Sequence, residues 1–217
     1  MSRAITTITL NAKKIAFVAC AMPSKGNARI TLEGICVEST QEGVILTATD
    51  GNIMLAARSA AQETHVSDVL HVTSDFLSSC RLSRAELVSV NDKTWHISDK
   101  DGNFIASGVC SANGVHWRYS LTTPSNFPYP DWRRGFQDTT YNKPVRNITS
   151  ETASRVAKAA KIERLGFSLY GSSEGKKSLR SNVILVAFSV DDYSGLIMPF
   201  DQNGPEKITP PSWCIHA

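Results

Sequence analysis

The residues of this chain that could do catalytic or metal chemistry are few and scattered. The glycine-rich segment from Gly171 to Ser178 has some features of a phosphate-binding loop. It places three residues between its glycines where that loop needs four, and no helix pattern follows, so we interpret it as a hairpin tip. Asp50, Asp191 and Asp192 carry carboxylates that a metal ion would accept. Acidic residues in turns, however, usually stabilise the turn itself.

The cysteines and histidines are too dispersed to predict a metal site or a nucleophile. The five cysteines, at positions 20, 36, 80, 110 and 214, are odd in number and form no Cys-x-x-Cys pair. Disulfide frameworks need paired cysteines in a small secreted chain, and metal sites need clustered ligands. We therefore interpret the cysteines as buried or inert thiols. The sequence predicts a protein that is not an enzyme and that needs no metal and no cofactor.

Basic residues recur on three predicted helices. On a helical wheel of residues 150–164, small apolar residues share one side and basic residues the other. The candidates for phosphate contact on the three helices are Lys13, Lys14, Arg81, Arg84, Arg155, Lys158, Lys161 and Arg164. An ordinary solvated face is the alternative for any single helix, whereas recurrence on three helices favours a common electropositive surface. The net charge of +3 alone would not predict a nucleic-acid binder.

Length and composition place the chain among globular proteins. Its 217 residues are enough to bury a core as one large domain or two small ones. Apolar residues never run on long enough for a transmembrane helix. The N-terminus alternates Thr and Ile instead of forming an apolar signal-peptide region. We therefore expect a cytoplasmic protein without a membrane segment.

The elements that would position these residues repeat with a period of roughly sixty residues. Alternating apolar residues predict strands, and Asn11, Ser74 and Thr149 are predicted helix caps. The first unit has strands at 5–10, 30–38, 44–49 and 53–57 and a helix at 12–21. The second has strands at 69–72, 87–90, 94–98, 104–110 and 115–121 and a helix at 75–81. The third has strands at 143–148, 167–171, 183–189 and 194–199 and a helix at 150–164. This order predicts an α+β fold with helices packed on antiparallel sheets.

Three segments resemble the bacterial DNA polymerase III beta sliding clamp. Ala48-Thr49-Asp50-Gly51 resembles a turn in which a strand of that family ends. Phe127 to Arg134 is similar to the Phe-Pro-Asp-Tyr-Arg-Arg motif that closes the clamp's middle domain, with an insertion and with Trp in place of Tyr. Gly195 to Phe200 resembles the family's terminal Val-Met-Pro-Met strand. Their order and spacing indicate a short, divergent relative with the clamp-like fold of repeated βαβββ units.

The resemblance implies how the domains are organised. Residues 1–137 resemble the middle domain of the clamp, with two βαβββ units. Residues 138–200 resemble the second half of the last domain, as a half domain or a reduced second domain, and residues 201–217 form a C-terminal tail. The segment that usually completes the last domain is missing. The family's His-Arg-Leu after the Asp-Gly turn is here Asn52-Ile53-Met54.

The resemblance also implies what the chain binds. A clamp ring encloses double-stranded DNA without reading its sequence, so the basic helix residues become DNA-facing candidates. Its second role is to hold DNA polymerase or repair proteins by short linear motifs in an apolar cleft. Carried over to this chain, the cleft residues are Thr49, Gly51, Asn52, Ile53, Met54, Pro130, Ile197, Met198 and Pro199. Methionine offers adaptable apolar surface, although Met54 and Met198 would serve equally well as core residues.

Two functional hypotheses follow from the resemblance. In the first, the protein is a compact clamp that forms a homo-oligomer around DNA as a processivity or repair factor. In the second, it is a clamp-like binding module that does not encircle DNA. Such a module would sequester clamp-binding peptides or dock on a replisome component, as a phage or mobile-element protein would. An enzyme is a remote third possibility, because it would need a site that the sequence does not contain.

Overall fold

The computed structural model describes residues 7–23, 32, 34–60, 66–91, 93–110, 116–117, 129–136, 140–145, 148–172 and 183–197. The first unit consists of β1 (Ile8–Asn11), α1 (Ala12–Val18), β2 (Ile35–Thr40), β3 (Gly43–Thr49) and β4 (Ile53–Ser59). The second consists of β5 (Ser67–His71), α2 (Ser74–Cys80), β6 (Leu87–Val90), β7 (Thr94–Ser98), β8 (Phe104–Val109) and β9 (His116–Trp117). The third consists of β10 (Tyr141–Pro144), α3 (Ser150–Glu163), β11 (Phe167–Ser172), β12 (Ile184–Phe188) and β13 (Tyr193–Ile197).

The described helices begin where short polar side chains cap them. Asn11 accepts a hydrogen bond from the Lys14 N–H, and Thr149 accepts one from the Thr152 N–H, as predicted. The prediction that Ser74 caps α2 is wrong, because Thr73 holds that place and accepts from the Phe76 N–H. Ser74 is the first helical residue instead. Thr73 has the extended backbone that a cap needs, and either hydroxyl satisfies the sequence rule.

The first two units exchange their first strands. β1 leaves its own unit and pairs with β6 in an antiparallel sheet of order β1-β6-β7-β8. β5 pairs with β2, next to β3 and β4. Each unit therefore completes a sheet of the other. The helix α1 packs against α2 and against β3 and β4, so the two units share one core.

The third unit keeps its first strand and joins the first unit by a sheet edge. β10 pairs with β11 of its own unit, and β13 pairs antiparallel with β4. The result is a nine-stranded sheet of order β10-β11-β12-β13-β4-β3-β2-β5-β9. This sheet crosses the predicted boundary between residues 137 and 138. The division into domains stays a prediction, but the third unit is hydrogen-bonded to the first.

Apolar residues cover both faces of the large sheet. The main core lies between the sheets and the helices and includes Ile15, Phe17, Leu55 and Val156. A second cluster covers the outer face and contains Ile45, Met54, Ala56, Trp132, Phe136, Tyr141, Val183, Leu185 and Leu196. Double coverage explains why β3 and β4 are apolar almost throughout instead of alternating.

The observed elements match the predicted ones within a few residues wherever both can be compared. The predicted strand at 115–121 is described only at His116 and Trp117, which pair with β5. Residues 198–199 of the last predicted strand, the motif residues Phe127 and Pro128, and the predicted tail lie outside the described residues.

Candidate nucleic-acid interface

Four basic residues line one groove at the ends of the three helices. The groove has a volume of about 470 Å³ and is bordered by Lys13, Arg81, Leu82, Ser83, Lys161, Ile162, Glu163 and Arg164. Lys13 comes from α1, Arg81 follows α2, and Lys161 and Arg164 lie at the end of α3. Each unit therefore contributes at least one cation to this basic groove, and Glu163 is its single acid.

The helix ends explain why the cations meet. Arg164 adopts a left-handed backbone conformation (φ 55°) that ends α3, and the N–H of Leu165 then bonds to the Ala160 carbonyl. A cation at a helix C-terminus interacts favourably with the helix dipole, so Lys161 and Arg164 also stabilise α3. The side chains of Arg81, Lys161 and Arg164 are exposed. Exposed cations of this kind suit phosphate contact without base recognition.

Two of the predicted DNA-facing lysines are bound to other parts of the protein. Lys13 pairs with Glu86 at the start of the strand-exchanged sheet. Lys14 donates to the Arg58 carbonyl and to Asp192 Oδ2, 3.3 Å away, and lies 5.3 Å from the centre of the Tyr193 ring. Lys14 therefore ties α1 to β4 and to the turn before β13. Arg84 and Lys158 are exposed outside the groove.

Arg155 joins the third unit to the first. Its Nε donates to the Cys20 carbonyl at 2.8 Å, its Nη2 donates to the Met22 carbonyl at 2.9 Å, and its Nη1 pairs with Asp50 Oδ2. The guanidinium is therefore committed to protein acceptors. Sequence reasoning could place Arg155 on the basic side of the α3 wheel but could not see that the turn at Asp50 packs against that helix.

Asp50 of the Ala-Thr-Asp-Gly turn is the acidic partner of Arg155 in this contact between the units. Its Oδ1 accepts from the N–H groups of Asn52 and Ile53 at 2.8 and 2.9 Å, so the carboxylate fixes its own turn before it meets Arg155. Burial alone would raise the pKa of Asp50. The hydrogen bonds from Ile53, Arg155 and Asn52, with the charge of Arg155, outweigh burial and lower the pKa. The motif that indicated a family thus has a structural role in this chain.

Glu163 is a half-buried carboxylate beside the groove. Burial raises the pKa of Glu163, and the hydrogen bond with Tyr193 and the charges of Lys13 and Lys14 offset this only in part. Its Oε1 has no hydrogen-bond partner. The ionised carboxylate is therefore disfavoured there. Its negative charge would also reduce the attraction of the surrounding cations for a phosphate.

The predicted cleft residues fall on two faces of the sheet. Ile53 and Ile197 are opposite each other across β4 and β13 and face the main core. Met54 faces the outer cluster, against Trp132 and Leu196. Thr49 is also buried, and its hydroxyl donates to the Ile53 carbonyl at 2.8 Å. Gly51, Asn52 and Pro130 are exposed, and Met198 and Pro199 lie outside the described residues.

The Pro-Asp-Trp-Arg-Arg segment covers the outer face of the sheet. Residues Trp132–Gly135 form a 3₁₀ helix, and the Trp132 indole donates to Glu38 Oε2 at 3.2 Å. Arg133 donates to the same oxygen at 2.7 Å and lies 4.3 Å above the Trp132 ring. Glu38 was not among the predicted site residues. The available signal was a charged residue directly after the apolar run Ile35 to Val37 in β2.

The described residues contain neither a metal-ligand cluster nor a membrane-spanning helix. Across these ranges, no three His, Cys, Asp or Glu side chains come close enough to hold a metal ion. Among the helices described, none is long and apolar enough to span a membrane.

The fold is that of solved bacterial sliding clamps, as predicted. The chain is similar to DNA polymerase III subunit beta from Borrelia burgdorferi, with a TM-score of 0.56 and 12% identity over 93% of this chain and 66% of that one. It is similar to the DNA polymerase sliding clamp from Caulobacter crescentus, with a TM-score of 0.53 and 15% identity over 93% and 67%. It is also similar to the DNA polymerase III beta subunit from Thermotoga maritima, with a TM-score of 0.52 and 11% identity over 92% of this chain and 66% of that one.

The same comparisons limit what is shared to the fold. The chain spans about two thirds of the length of the structures that it matches. No protein-family model matches the sequence, and no curated protein matches it.

Proposed function

We propose that this protein is a non-enzymatic, clamp-like scaffold that binds double-stranded DNA without reading its sequence. The observation that carries the proposal is the basic groove, in which Lys13, Arg81, Lys161 and Arg164 from three units face a single acid, Glu163. Cations that converge from separate helices match the spaced negative charges of a phosphate backbone. The clamp fold supports a role in DNA replication or repair.

The basic residues in and around the groove would contribute to DNA binding in different ways. Arg81, Lys161 and Arg164 would contact phosphates directly, and Arg84 and Lys158 would extend the surface. Lys14 and Arg155 hold the helices in place and add only to the local positive potential, because their donors already have protein acceptors. Lys13 forms an ion pair with Glu86 and would have to break that pair to contact a phosphate.

Duplex binding at several salt concentrations tests this assignment. Replacing Arg81, Lys161 and Arg164 by Ala should weaken binding about equally for unrelated sequences. It should also reduce the slope of log affinity against log salt by up to about 0.9 for each lost phosphate contact. The control is Lys93→Ala with Lys100→Ala, which removes two exposed lysines from the turns around β7, and the losses are compared per charge removed. Equal losses per charge in the two variants would show only a net-charge effect and would refute the groove.

We further propose that DNA polymerase or repair partners bind at the start of β4 through short linear motifs. Thr49 and Met54, which pair across β3 and β4, would form the buried base of this cleft on the outer face of the sheet. Ile53 and Ile197 face the main core and would support the cleft from the other side. Gly51, Asn52 and Pro130 would form its exposed rim. Tyr129 supports this position, because its hydroxyl donates to the Thr47 carbonyl at 3.3 Å and holds the chain before Pro130 against β3.

A labelled clamp-motif peptide tests the cleft by fluorescence anisotropy. Asn52→Arg should weaken peptide binding, whereas Asn103→Arg should not. The two asparagines hold the same place in the Asp-Gly-Asn turns before β4 and β8, and both are exposed. If the peptide binds all three proteins equally, or none of them, the cleft is elsewhere or absent.

The second candidate function is a clamp-like module that does not encircle DNA. The observation that favours it is that Lys14 and Arg155, two of the predicted DNA-facing cations, are bound to acceptors within the protein. Retention on plasmid DNA separates the two candidates. An encircling protein stays on a closed circle and is lost when the circle is cut, whereas a surface binder is retained equally by both forms.

A further inference from the structure

Residues 129–136 form a strap on the outer face of the large sheet, with Pro130 exposed at the rim of the proposed cleft. Trp132 and Phe136 are buried and join the strap to the outer cluster. Their rings meet edge to face, with centroids 6.1 Å apart. Apolar contact is not directional, so it holds the strap against the sheet without fixing its position along the strands.

Glu38 on β2 supplies directional contacts to the strap. Its Oε2 accepts from the Trp132 indole N–H at 3.2 Å and from Arg133 Nη1 at 2.7 Å. The Arg133 guanidinium also lies 4.3 Å from the centre of the Trp132 ring. One carboxylate oxygen of the sheet therefore binds two consecutive side chains of the strap.

The pair of Glu38 and Arg133 is largely shielded from water. The Glu38 side chain is 25% exposed, and that of Arg133 is 15% exposed. Arg133 Nε is buried and has no hydrogen-bond partner among the described residues. Glu38 therefore compensates the burial of this guanidinium, and its removal would leave a half-buried charge without that partner.

The neighbouring Arg134 is paired in a different way. It binds Asp131 of the strap itself at 2.9 Å, and the two side chains are 70% and 55% exposed. A solvated pair within one segment adds little to stability and does not attach the strap to the sheet. Asp131 and Glu38 thus pair with consecutive arginines, and of these two acids only Glu38 belongs to the sheet.

Tyr129 fixes the strap on the other side of Pro130. Its hydroxyl donates to the Thr47 carbonyl at 3.3 Å. Burial raises the pKa of Tyr129, and the neighbouring Cys36 and Glu38 act in the same direction, so the hydroxyl keeps its proton and remains a donor. Pro130 therefore lies between this contact and the two hydrogen bonds that Glu38 accepts.

We propose that Glu38 is a positioning residue of the peptide cleft, because it holds the strap where Pro130 can contact a bound peptide. Glu38 acts through Trp132 and Arg133 and does not itself have to touch the peptide. A strap that is already held in place loses less conformational freedom when a peptide binds, so loosening it should lower the affinity. The inference rests on the proposed cleft and is independent of DNA binding.

Hydrogen exchange of the full-length protein tests whether Glu38 holds the strap. The Phe136 N–H bonds to the Arg133 carbonyl at 2.9 Å, inside the strap, so its exchange rate measures local opening. Glu38→Gln keeps an acceptor for Trp132 but removes the charge beside Arg133, and it should speed exchange at Phe136 by about tenfold. Asp131→Asn, the matched control, removes an equal charge from the solvated pair and should change the rate by less than about twofold.

The anisotropy of a labelled clamp-motif peptide, measured with the same proteins, tests whether the strap sets the affinity. Glu38→Gln should weaken peptide binding by about tenfold, and Asp131→Asn should weaken it by less than about twofold. Arg133→Gln breaks the same pair from the strap side and should have a similar effect. The double variant should bind no more weakly than either single variant, a result that a general loss of stability would not produce.

Circular dichroism and thermal melting show whether each variant is folded, and Arg133→Gln replaces Glu38→Gln in both measurements if the latter is not. A folded Glu38→Gln protein with the Phe136 exchange rate or the peptide affinity of the wild type would overturn the inference, as would losses that add in the double variant. A wild type that binds no peptide would overturn the proposed cleft and with it the role of Glu38. Peptide binding that is weakened by Asn52→Arg but not by Glu38→Gln would contradict only the inference.

Discussion

The fourth strands β4 and β8 begin with the same Asp-Gly-Asn turn but lie in opposite surroundings. Ile53 at the start of β4 is buried between strands, whereas Phe104 at the equivalent place in β8 is exposed. Arg58 near the end of β4 pairs with Asp192 of the third unit at 3.0 Å, and its counterpart in β8 is the exposed Val109. The difference comes from the third unit, which covers the edge of β4, whereas no described strand pairs with the outer edge of β8.

The largest expected effect comes from forcing the covered edge apart. A Cβ added at Gly195 of β13 would lie 2.8 Å from the Met54 carbonyl oxygen and 2.8 Å from Leu55 Cδ2. The backbone oxygen cannot move without separating β13 from β4. Gly195→Val should therefore lower the free energy of unfolding by about 3 kcal/mol, measured by urea denaturation.

The control for this prediction is Ser107→Val on the open strand β8. Ser107 is exposed and has no strand on its outer side within the described residues. Its replacement should change the free energy of unfolding by less than about 0.5 kcal/mol. Comparable losses in the two variants would mean that β13 does not stabilise β4.

The next effect concerns the two turns before these strands. Asp50 and Asp99 both accept backbone N–H bonds in their turns, but only Asp50, with its side chain 14% exposed, also holds an arginine of the third unit. Asp50→Ala should cost about 2 to 4 kcal/mol, because it breaks its turn and leaves Arg155 half-buried without its anion. Asp99→Ala should cost clearly less, because Asp99 is solvated.

The contribution of Asp50 to the free energy of unfolding should depend on pH. Its pKa is lower in the folded chain than in the unfolded one, so its contribution is complete above about pH 4 and is lost as the pH falls through the folded value. The wild type and Asp50→Ala should thus converge in stability in acid. A difference between them that persists in strong acid would show that Arg155 is not the main partner.

The sequence predicted the elements well because local signals decide them. Alternation located β3, β4 and β7, the Asp-Gly pairs located both hairpin turns, and Thr149 located the start of α3. Choosing between Thr73 and Ser74 as a cap requires the backbone conformation. The sliding-clamp fold came from the motifs and the repeat together.

Long-range partners could not be predicted, and they decide the site. The α3 wheel placed Arg155, Lys158 and Lys161 on one side, but only the packing of α3 against the first unit commits Arg155 to Asp50. Met54 and Ile53 are neighbours in sequence that face opposite sides of a sheet covered on both. A cleft inferred from sequence position alone could not show that.

The smallest expected effect separates charge from packing at the third unit. Burial raises the pKa of Glu163, so the folded chain favours its protonated form. Its unfavourable contribution is absent in acid and grows as the pH rises above the usual glutamate value. Glu163→Gln keeps an acceptor for Tyr193 and removes the charge. It should raise the free energy of unfolding by about 0.5 kcal/mol at neutral pH and tighten duplex binding by about twofold to fivefold. Glu151→Gln, at the exposed start of α3, removes the same charge away from the groove and should do neither. If both variants tighten binding equally, the gain reflects net charge, and the basic groove has no special place in DNA binding.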